Sequence, residues 1–449
     1  MNTLIAHSGP AVRPVTNSPA LPTSVDVAII GGGIIGVSAA WFLARRGIKV
    51  ALFEKGLIGG EQSGRNWGWV RLAGRDLREL PLMLRAHEIW DGLAGELGVD
   101  VGYRRRGIVY AAKTEQARQR QLGWANAARQ FGIEAQILDP FAVADFAPGL
   151  NRSPLGGLYV PADAGAEPQL AAPAMATAVQ AAGGFIFQQC AVRGLDIEAG
   201  RVNGVVTEQG RVGASSAIVA GGAWSSHLVS RHGIRLPQLK VLSSVLRTAP
   251  IEAGIDTTMG FSDFAIRKRL DGGYTVASSA SSVADIVPDS FRYFSEFMPA
   301  LKLERKALKL RFGKPFFDEL ISYRHRPFDQ QSIYEKIRVL DPTPDDALLT
   351  KVEASLKAGI PAFKDVTIAQ KWGGMIDTMP DVVPVISTTE SLPGLVIGTG
   401  FSGHGFGIGP AGGQLAAELA IGVTPCVDPT PFRLPRFEDG SPIEIQSWL

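Results

Sequence analysis

The stretch VDVAIIGGGIIGVSAAWFLARRGIKVALFEK, residues 25–55, decides how the chain is read. An apolar run turns through glycines into an apolar-patterned helix and ends in a second apolar run, the order of a βαβ unit. Gly31, Gly33 and Gly36 sit where the first strand hands over to the helix. The first permits a tight turn, the second lets backbone amides approach a pyrophosphate, and the third lets helix pack on sheet. Glu54 ends the second strand, where a carboxylate can accept hydrogen bonds from ribose hydroxyls. The unit makes the fold class α/β, with a Rossmann-like dinucleotide-binding domain. Alone it does not separate FAD from NAD, and a glycine turn that only packs a helix remains the plain alternative.

Working outward, 449 residues with 45% hydrophobic and 20% charged content suit a globular protein of two or three domains with room for a buried ligand. Basic and acidic residues, 45 against 43, nearly cancel, which argues against binding nucleic acid by phosphate neutralisation. Cys190 and Cys426 stand far apart without metal-ligand spacing, and the six histidines do not cluster, so no metal is expected and a reducing, cytoplasmic setting is. No apolar run reaches the roughly 20 residues of a membrane-spanning helix. Residues 1–24 read as a disordered tail.

Along the chain, 82–97 reads as helix, 101–111 as strand, 171–183 as a small-residue helix and 185–224 as a β-meander returning to the first domain. Residues 236–369 look different, with strand-like flanks around a mostly helical segment at 290–320. The domain expectation is therefore a cofactor domain from 25–95, 160–235 and 370–430, a second domain of mostly antiparallel sheet plus helices from 96–159 and 236–369, and a C-terminal tail at 431–449.

A second glycine cluster, GTGFSGHGFGIGPAGG at 398–413, lies more than three hundred residues after the first. So much glycine implies backbone in close approach to something. An NAD-type domain completes its site within its first half, whereas FAD must also place an isoalloxazine ring whose carbonyl edge a distant segment has to meet. A late glycine-rich loop suits FAD.

With EQSGRNWGWVR (61–71), LMLRAHEIW (82–90), IVAGGAWS (218–225), WGGMIDTMPDVVPVI (372–386) and GFSGHGFG (400–407) added to GGGIIG and Glu54, the sequence resembles the glycine oxidase, sarcosine oxidase and D-amino-acid oxidase family of flavoenzymes. The resemblance implies an FAD-binding domain assembled from separated pieces, with a substrate domain over the flavin. Carried across, Gly31, Gly33, Ile34, Ile35, Gly36 and Glu54 hold the pyrophosphate and ribose, with Lys55 beside the adenine. Ser63, Arg65 and Asn66 lie on the loop passing phosphate and flavin. Val192, Gly221, Gly222 and Gly374 are further cofactor contacts, and Gly403, His404, Gly405 and Phe406 meet the pyrimidine edge, where amides stabilise the charge of the reduced ring.

Three departures stand out. Gly374 replaces the cysteine bonded to flavin in sarcosine oxidases, so non-covalent FAD is expected. Ile376 stands where glycine oxidases present a carboxylate-binding arginine, and Gly407 where sarcosine oxidases present a lysine. Arg71 remains to orient a substrate carboxylate. Arg267 and Arg324 are further substrate-binding candidates, and for each of these arginines a structural role is the alternative. His404 is a second catalytic candidate, or shapes its loop. Trp67 and Trp69, with Ile376, wall the substrate pocket or fill core.

The expected activity is oxidation of the C–N bond of an amino acid or secondary or N-methylated amine. Hydride passes to flavin N5, the imine hydrolyses, and dioxygen or an electron-acceptor protein or quinone takes the electrons. A hydroxy-acid oxidoreductase and a non-catalytic FAD-binding subunit are the alternatives, and a homo-oligomer is compatible with either.

Overall fold

The computed structural model describes residues 7–279, 282–304, 308–322, 327–446 and 448. Strand β1 (Ser24–Ile30) runs parallel between β2 (Val50–Phe53) and the strand Gly210–Val219, with Ala28 opposite Ala51 on one side and Ala217 on the other. Phe185–Phe187 extends this parallel core beyond β2, and Leu395–Thr399 extends it beyond Gly210–Val219. Sheets of this kind are covered on both faces, which is why β2 reads VALF without alternation and is buried throughout. The expected meander is present as Val192–Glu198, Arg201–Thr207 and Gly210–Val219.

Helix α1 (Ile34–Arg45) is buried on nearly every side, packed between the sheet and the helices Pro168–Ala181 and Gly405–Ile421. Small residues make that possible. A Cβ on Gly36 would sit 2.0 Å from the Gly31 carbonyl oxygen, and one on Gly413 would lie 2.5 Å from Ser38 Cβ and 2.6 Å from the Ile35 oxygen. The late glycine stretch thus divides in two. Its first part is a loop in which Gly400, Ser402 and Gly403 adopt positive φ. The rest is helix from Gly405 onward, and there Gly409 and Gly413 serve close packing on α1 rather than approach to a ligand.

A second sheet lies across the cofactor sheet. Leu239–Thr248 is its centre, paired antiparallel with Ile368–Thr378 from Leu239 opposite Thr378 to Thr248 opposite Ile368. Ile108–Ala111, Gly157–Val160, Thr258–Gly260, Ala265–Lys268 and Tyr274–Ala277 belong to the same sheet. Beside them run α2 (Gln62–Arg65), packed on Ile368–Thr378, β3 (Trp69–Val70), packed on Gly405–Ile421, and α3 (Leu80–Leu97), which packs on the same helix and is closed by left-handed Gly98.

Several boundaries differ from those expected. Residues 370–378, placed by sequence with the cofactor domain, belong to the strand Ile368–Thr378 of the second sheet, which pairs along its length with Leu239–Thr248. The segment at 290–320 starts within the helix Pro288–Arg292 and carries the helices Phe294–Glu304 and Lys314–Ser322, with the strand Leu308–Arg311, which pairs with Ser282–Asp285, between these last two. Residues 7–23, expected as a disordered tail, lie along the domain without regular structure. Arg13 N donates to the Gln169 oxygen at 3.0 Å, Ser18 N to the Ile186 oxygen at 2.8 Å, and Val15 is buried. Partners far away in sequence hold this segment, so no local pattern announces it. The described residues 431–446 are likewise anchored, through an Arg436–Asp381 ion pair at 2.8 Å. Among the described residues, no helix is long and apolar enough to cross a membrane.

The Gly413 contact makes a stability prediction. Gly413→Val overpacks the interface of α1 with Gly405–Ile421 and should cost about 1–3 kcal/mol. A lower urea midpoint at unchanged slope would register it.

Candidate active site

A cavity of about 580 Å3 opens at the carboxyl ends of the parallel strands, the place where α/β sheets bind ligands. Ile30, Phe53, Ala220 and Gly398 line it from the cofactor sheet, and Val241, Ser243, Val245 and Gly374 from the second sheet. Both glycine regions reach it, Gly31 and Gly33 at one end and Gly403 and Gly405 at the other.

At the first end, α1 begins with its first-turn amides lacking intrahelical acceptors, as every helix does. Ser63 Oγ accepts from Ile34 N at 2.9 Å, and Glu54 accepts from Gly32 N at 2.7 Å and Gly56 N at 2.6 Å. Burial raises the Glu54 carboxyl above its ordinary range, while Lys55 and these amides pull it back. Lys55 Nζ donates to Glu61 and to the Ile337 and Arg338 carbonyls, and lies 4.8 Å from the Trp224 ring centre. Ile34, Ile35, Val192, Gly221 and Gly222 line the same end, and Gly36 lies behind it as the packing glycine.

Arg65 and Asn66 reach the cavity and also hold its walls. Arg65 Nη1 donates to Asp341 at 2.6 Å and to the Gly373 oxygen at 2.9 Å, tying the loop after Glu61 to the second sheet. Asn66 Nδ2 donates to the Gln62 and Ser63 carbonyls, and its Oδ1 accepts from Gly68 N at 2.7 Å.

At the other end, Gly405–Ile421 starts with His404 as its N-cap, so a second helix N-terminus faces the cavity through Gly405 and Phe406. Asp377, buried and without a signal of its own in WGGMIDTMP, organises the preceding loop. Its Oδ2 accepts from Gly400 N at 2.8 Å, Thr399 Oγ1 at 3.1 Å and Gln238 Nε2 at 3.0 Å. Ile376 packs beside Gly403. Gly407, by contrast, leaves the cavity: a Cβ there would lie 3.0 Å from the Trp69 oxygen, and Trp90 Nε1 donates to its carbonyl at 2.7 Å. Tight packing on β3 is the reason no cationic side chain can stand at that position.

Trp67 and Trp69 meet edge to face at 5.5 Å, and Trp69 meets Tyr110 at 5.7 Å, forming an aromatic wall of the cavity. Arg71 lies 6.0 Å from the Tyr110 ring centre and donates through Nη1 to the Ala73 carbonyl. Among the described residues no protein acceptor engages its other guanidinium donors. Arg75, also on the cavity and unremarked in the sequence, donates to the Arg71 and His404 carbonyls, and burial lowers its pKa to about 10. Arg267 is a correction: it is 4% exposed, off the cavity, and spends its donors on Glu167 at 3.0 Å and the Trp67 carbonyl at 2.7 Å. It braces the tryptophan segment from behind. Arg324 lies outside the described residues.

The site has the chemistry FAD needs: bare glycine backbone at a helix N-terminus for the pyrophosphate, a carboxylate and cation at the adenosine end, and a flat apolar chamber with a second helix N-terminus at the far end. The comparisons agree. The family described as FAD dependent oxidoreductase matches residues 26–419. The chain belongs to this FAD-dependent oxidoreductase family. Relatives include the sarcosine oxidase subunit beta of Rhizobium meliloti (strain 1021), 27% identical over 95% of this chain and 92% of that one, and a glycine oxidase of Pseudomonas aeruginosa, 24% identical over 91% and 98%. Among solved structures, an L-amino acid deaminase from Proteus myxofaciens in complex with anthranilate superposes with a TM-score of 0.92 at 30% identity, covering 96% of this chain and 98% of that one. The deaminase from Proteus vulgaris gives 0.90 at 29%, covering 95% and 100%. The fold and the FAD-dependent class expected from sequence therefore hold.

Behind Arg71, fully buried Asp163 accepts from Leu72 N at 2.6 Å and Ala73 N at 3.2 Å, fixing the turn. Burial raises its pKa to about 7 against the pull of those amides, Arg71 and Arg75. A raised carboxyl means the folded state binds the extra proton, so its contribution is fully present below about 3.8 and is lost as pH rises through about 7. Asp163→Asn removes this dependence. The melting temperature of the variant relative to wild type should climb across that window and level off above it, as a pH series of thermal unfolding would show.

Proposed function

We propose that the chain oxidises the C–N bond of an amino acid, including N-substituted ones, and that its preferred substrates carry a bulky apolar or aromatic side chain. The observation carrying this reading is Arg71: a cation on the wall of a flavin cavity, with donors left unpaired, next to Trp67, Trp69 and Tyr110. A guanidinium so placed takes a carboxylate through two parallel hydrogen bonds. The aromatic wall then receives the side chain and excludes water. The names of the sarcosine oxidase, glycine oxidase and L-amino acid deaminase relatives support the same class.

When bound, FAD supplies the hydride acceptor at its N5. The protein contributes position and charge. Ser63 and the start of α1 would hold the phosphate end, and the start of Gly405–Ile421 would offer its amides to the ring's electron-rich edge. Arg71 anchors the carboxylate so that the α carbon has one approach to the ring, a restriction of the kind that converts binding into rate. His404 lines the chamber within reach of the amine and takes its proton, leaving the neutral amine that oxidation requires. We propose non-covalent attachment, since Gly374 has no side chain to bond the ring and neither Cys190 nor Cys426 lines the cavity.

Anaerobic mixing of the yellow holoenzyme with a panel of L-, D- and N-methyl amino acids, decarboxylated amines and hydroxy acids tests the assignment. Aromatic and branched amino acids should bleach the flavin, whereas the matching amines without a carboxylate should bind about 100-fold more weakly. Arg71→Met should erase that difference by weakening the amino acid alone. Bleaching solely by hydroxy acids would reject the amine chemistry.

A further inference from the structure

Behind His404 sits a carboxyl group with no hydrogen bond. Glu79 is 1% exposed, and neither of its carboxylate oxygens has a partner. Its Oε2 lies 3.7 Å from His404 Nδ1 and 3.9 Å from Arg75 Nη1, and both of those nitrogens are themselves buried and unpartnered. Buried polar atoms left in this state cost stability, so several converging on one point ask for a reason. The chain holds Glu79 there firmly, as the last residue of the turn Leu77–Glu79 and the N-cap of α3. His404 stands between this group and the chamber: Nδ1 is its buried nitrogen, the side chain is 23% exposed, and the residue lines the cavity. Nε2 is therefore the nitrogen left for the substrate.

We propose that Glu79 is the proton acceptor behind His404, a positioning residue that acts through the imidazole and completes a relay out of the flavin cavity. The inference rests on the amine-oxidation reading. In the relay, the substrate ammonium gives a proton to His404 Nε2, Nδ1 passes its own proton to the Glu79 carboxylate, and the imidazole ends neutral in its other tautomer. One N–H bond of the substrate breaks, one O–H bond forms on Glu79, and no electrons change hands. The groups facing Glu79 are Arg71, Arg75, Asp76 and Arg78, together with His404, and those facing His404 are Arg71, Arg75 and Glu79. Their charges sort the two roles. Burial and the two arginines hold the imidazolium well below its usual range, so His404 cannot keep a proton. Burial raises Glu79 to about 7, where a carboxylate takes one readily.

The test uses holoenzyme and its Glu79→Gln, Glu79→Asp and His404→Asn variants. In anaerobic stopped flow, the limiting rate of flavin reduction in wild type should rise through an inflection near neutral pH. Glu79→Gln should abolish the inflection and slow reduction by about 100-fold at neutral pH. The deficit should shrink at high pH, where the amine arrives already deprotonated, and substrate affinity should change little. Glu79→Asp should restore part of the rate, and adding Glu79→Gln to His404→Asn should slow it no further. A merely structural Glu79 would change melting but not remove the inflection. Glu79→Gln that keeps its FAD and the wild-type pH profile overturns the proposal.

If no amino acid reduces the wild-type flavin, the functional reading fails, and the carboxyl is then judged by melting alone. With its folded pKa raised, Glu79 contributes stability that fades between about 4.5 and about 7 as pH rises. The Glu79→Gln curve should draw ahead of wild type across that window, and parallel curves would refute the buried acceptor.

Discussion

The close approach of α1 to Gly405–Ile421 is the constraint from which the rest follows. The two helices lie side by side only because Gly413 sits over the Ile35 carbonyl and Gly409 over Ile34. That interface fixes the distance between their N-termini, and both N-termini open on one cavity. Each end carries partial positive charge, and the two ends suit different parts of one ligand. The first matches a pyrophosphate, and the second matches the electron-rich edge of a flavin ring. Shape selection for a long dinucleotide is thereby built into a helix contact far from any reacting atom.

Two arginines show how geometry separates support from recognition. Arg267 is taken up by Glu167 and the Trp67 and Lys268 carbonyls, and it serves to hold Trp67 in place. Arg71 is pinned by one nitrogen while the others stay unclaimed at the chamber wall. A half-buried cation with unpaired donors is costly, and a ligand anion is the natural remedy. Asp163 behind Arg71 spends its oxygens on Leu72 N and Ala73 N, so the guanidinium donors stay available.

Much of this is legible in sequence where the pattern is local. The βαβ unit, the meander and α3 follow from periodicity and turn residues, and in 31–36 the spacing alone separates the turn glycine from the packing glycine. The late glycine stretch declares itself a partner of the first, yet only half of its reason is visible, since helix packing and ligand approach both demand glycine. Arg75, Glu79, Tyr110, Asp163 and Asp377 escape because each acquires its meaning from residues remote in the chain. Nothing in LAGRDLREL distinguishes an exposed charge from one sealed beneath His404. The strap at 7–23 escapes for a related reason, being held by Gln169, Ile186 and Asp341 with no periodicity of its own.

The threading of the cofactor domain also governs how the protein can be made. β1 needs Gly210–Val219 on one flank, and α1 needs Gly405–Ile421 on its outer face. A nascent chain leaving the ribosome therefore exposes the apolar surface of α1 until residues 405–421 have been translated. Such long-range closure is slow and prone to aggregation. Chaperone capacity and translation speed, more than the finished protein's stability, should set the yield of active material.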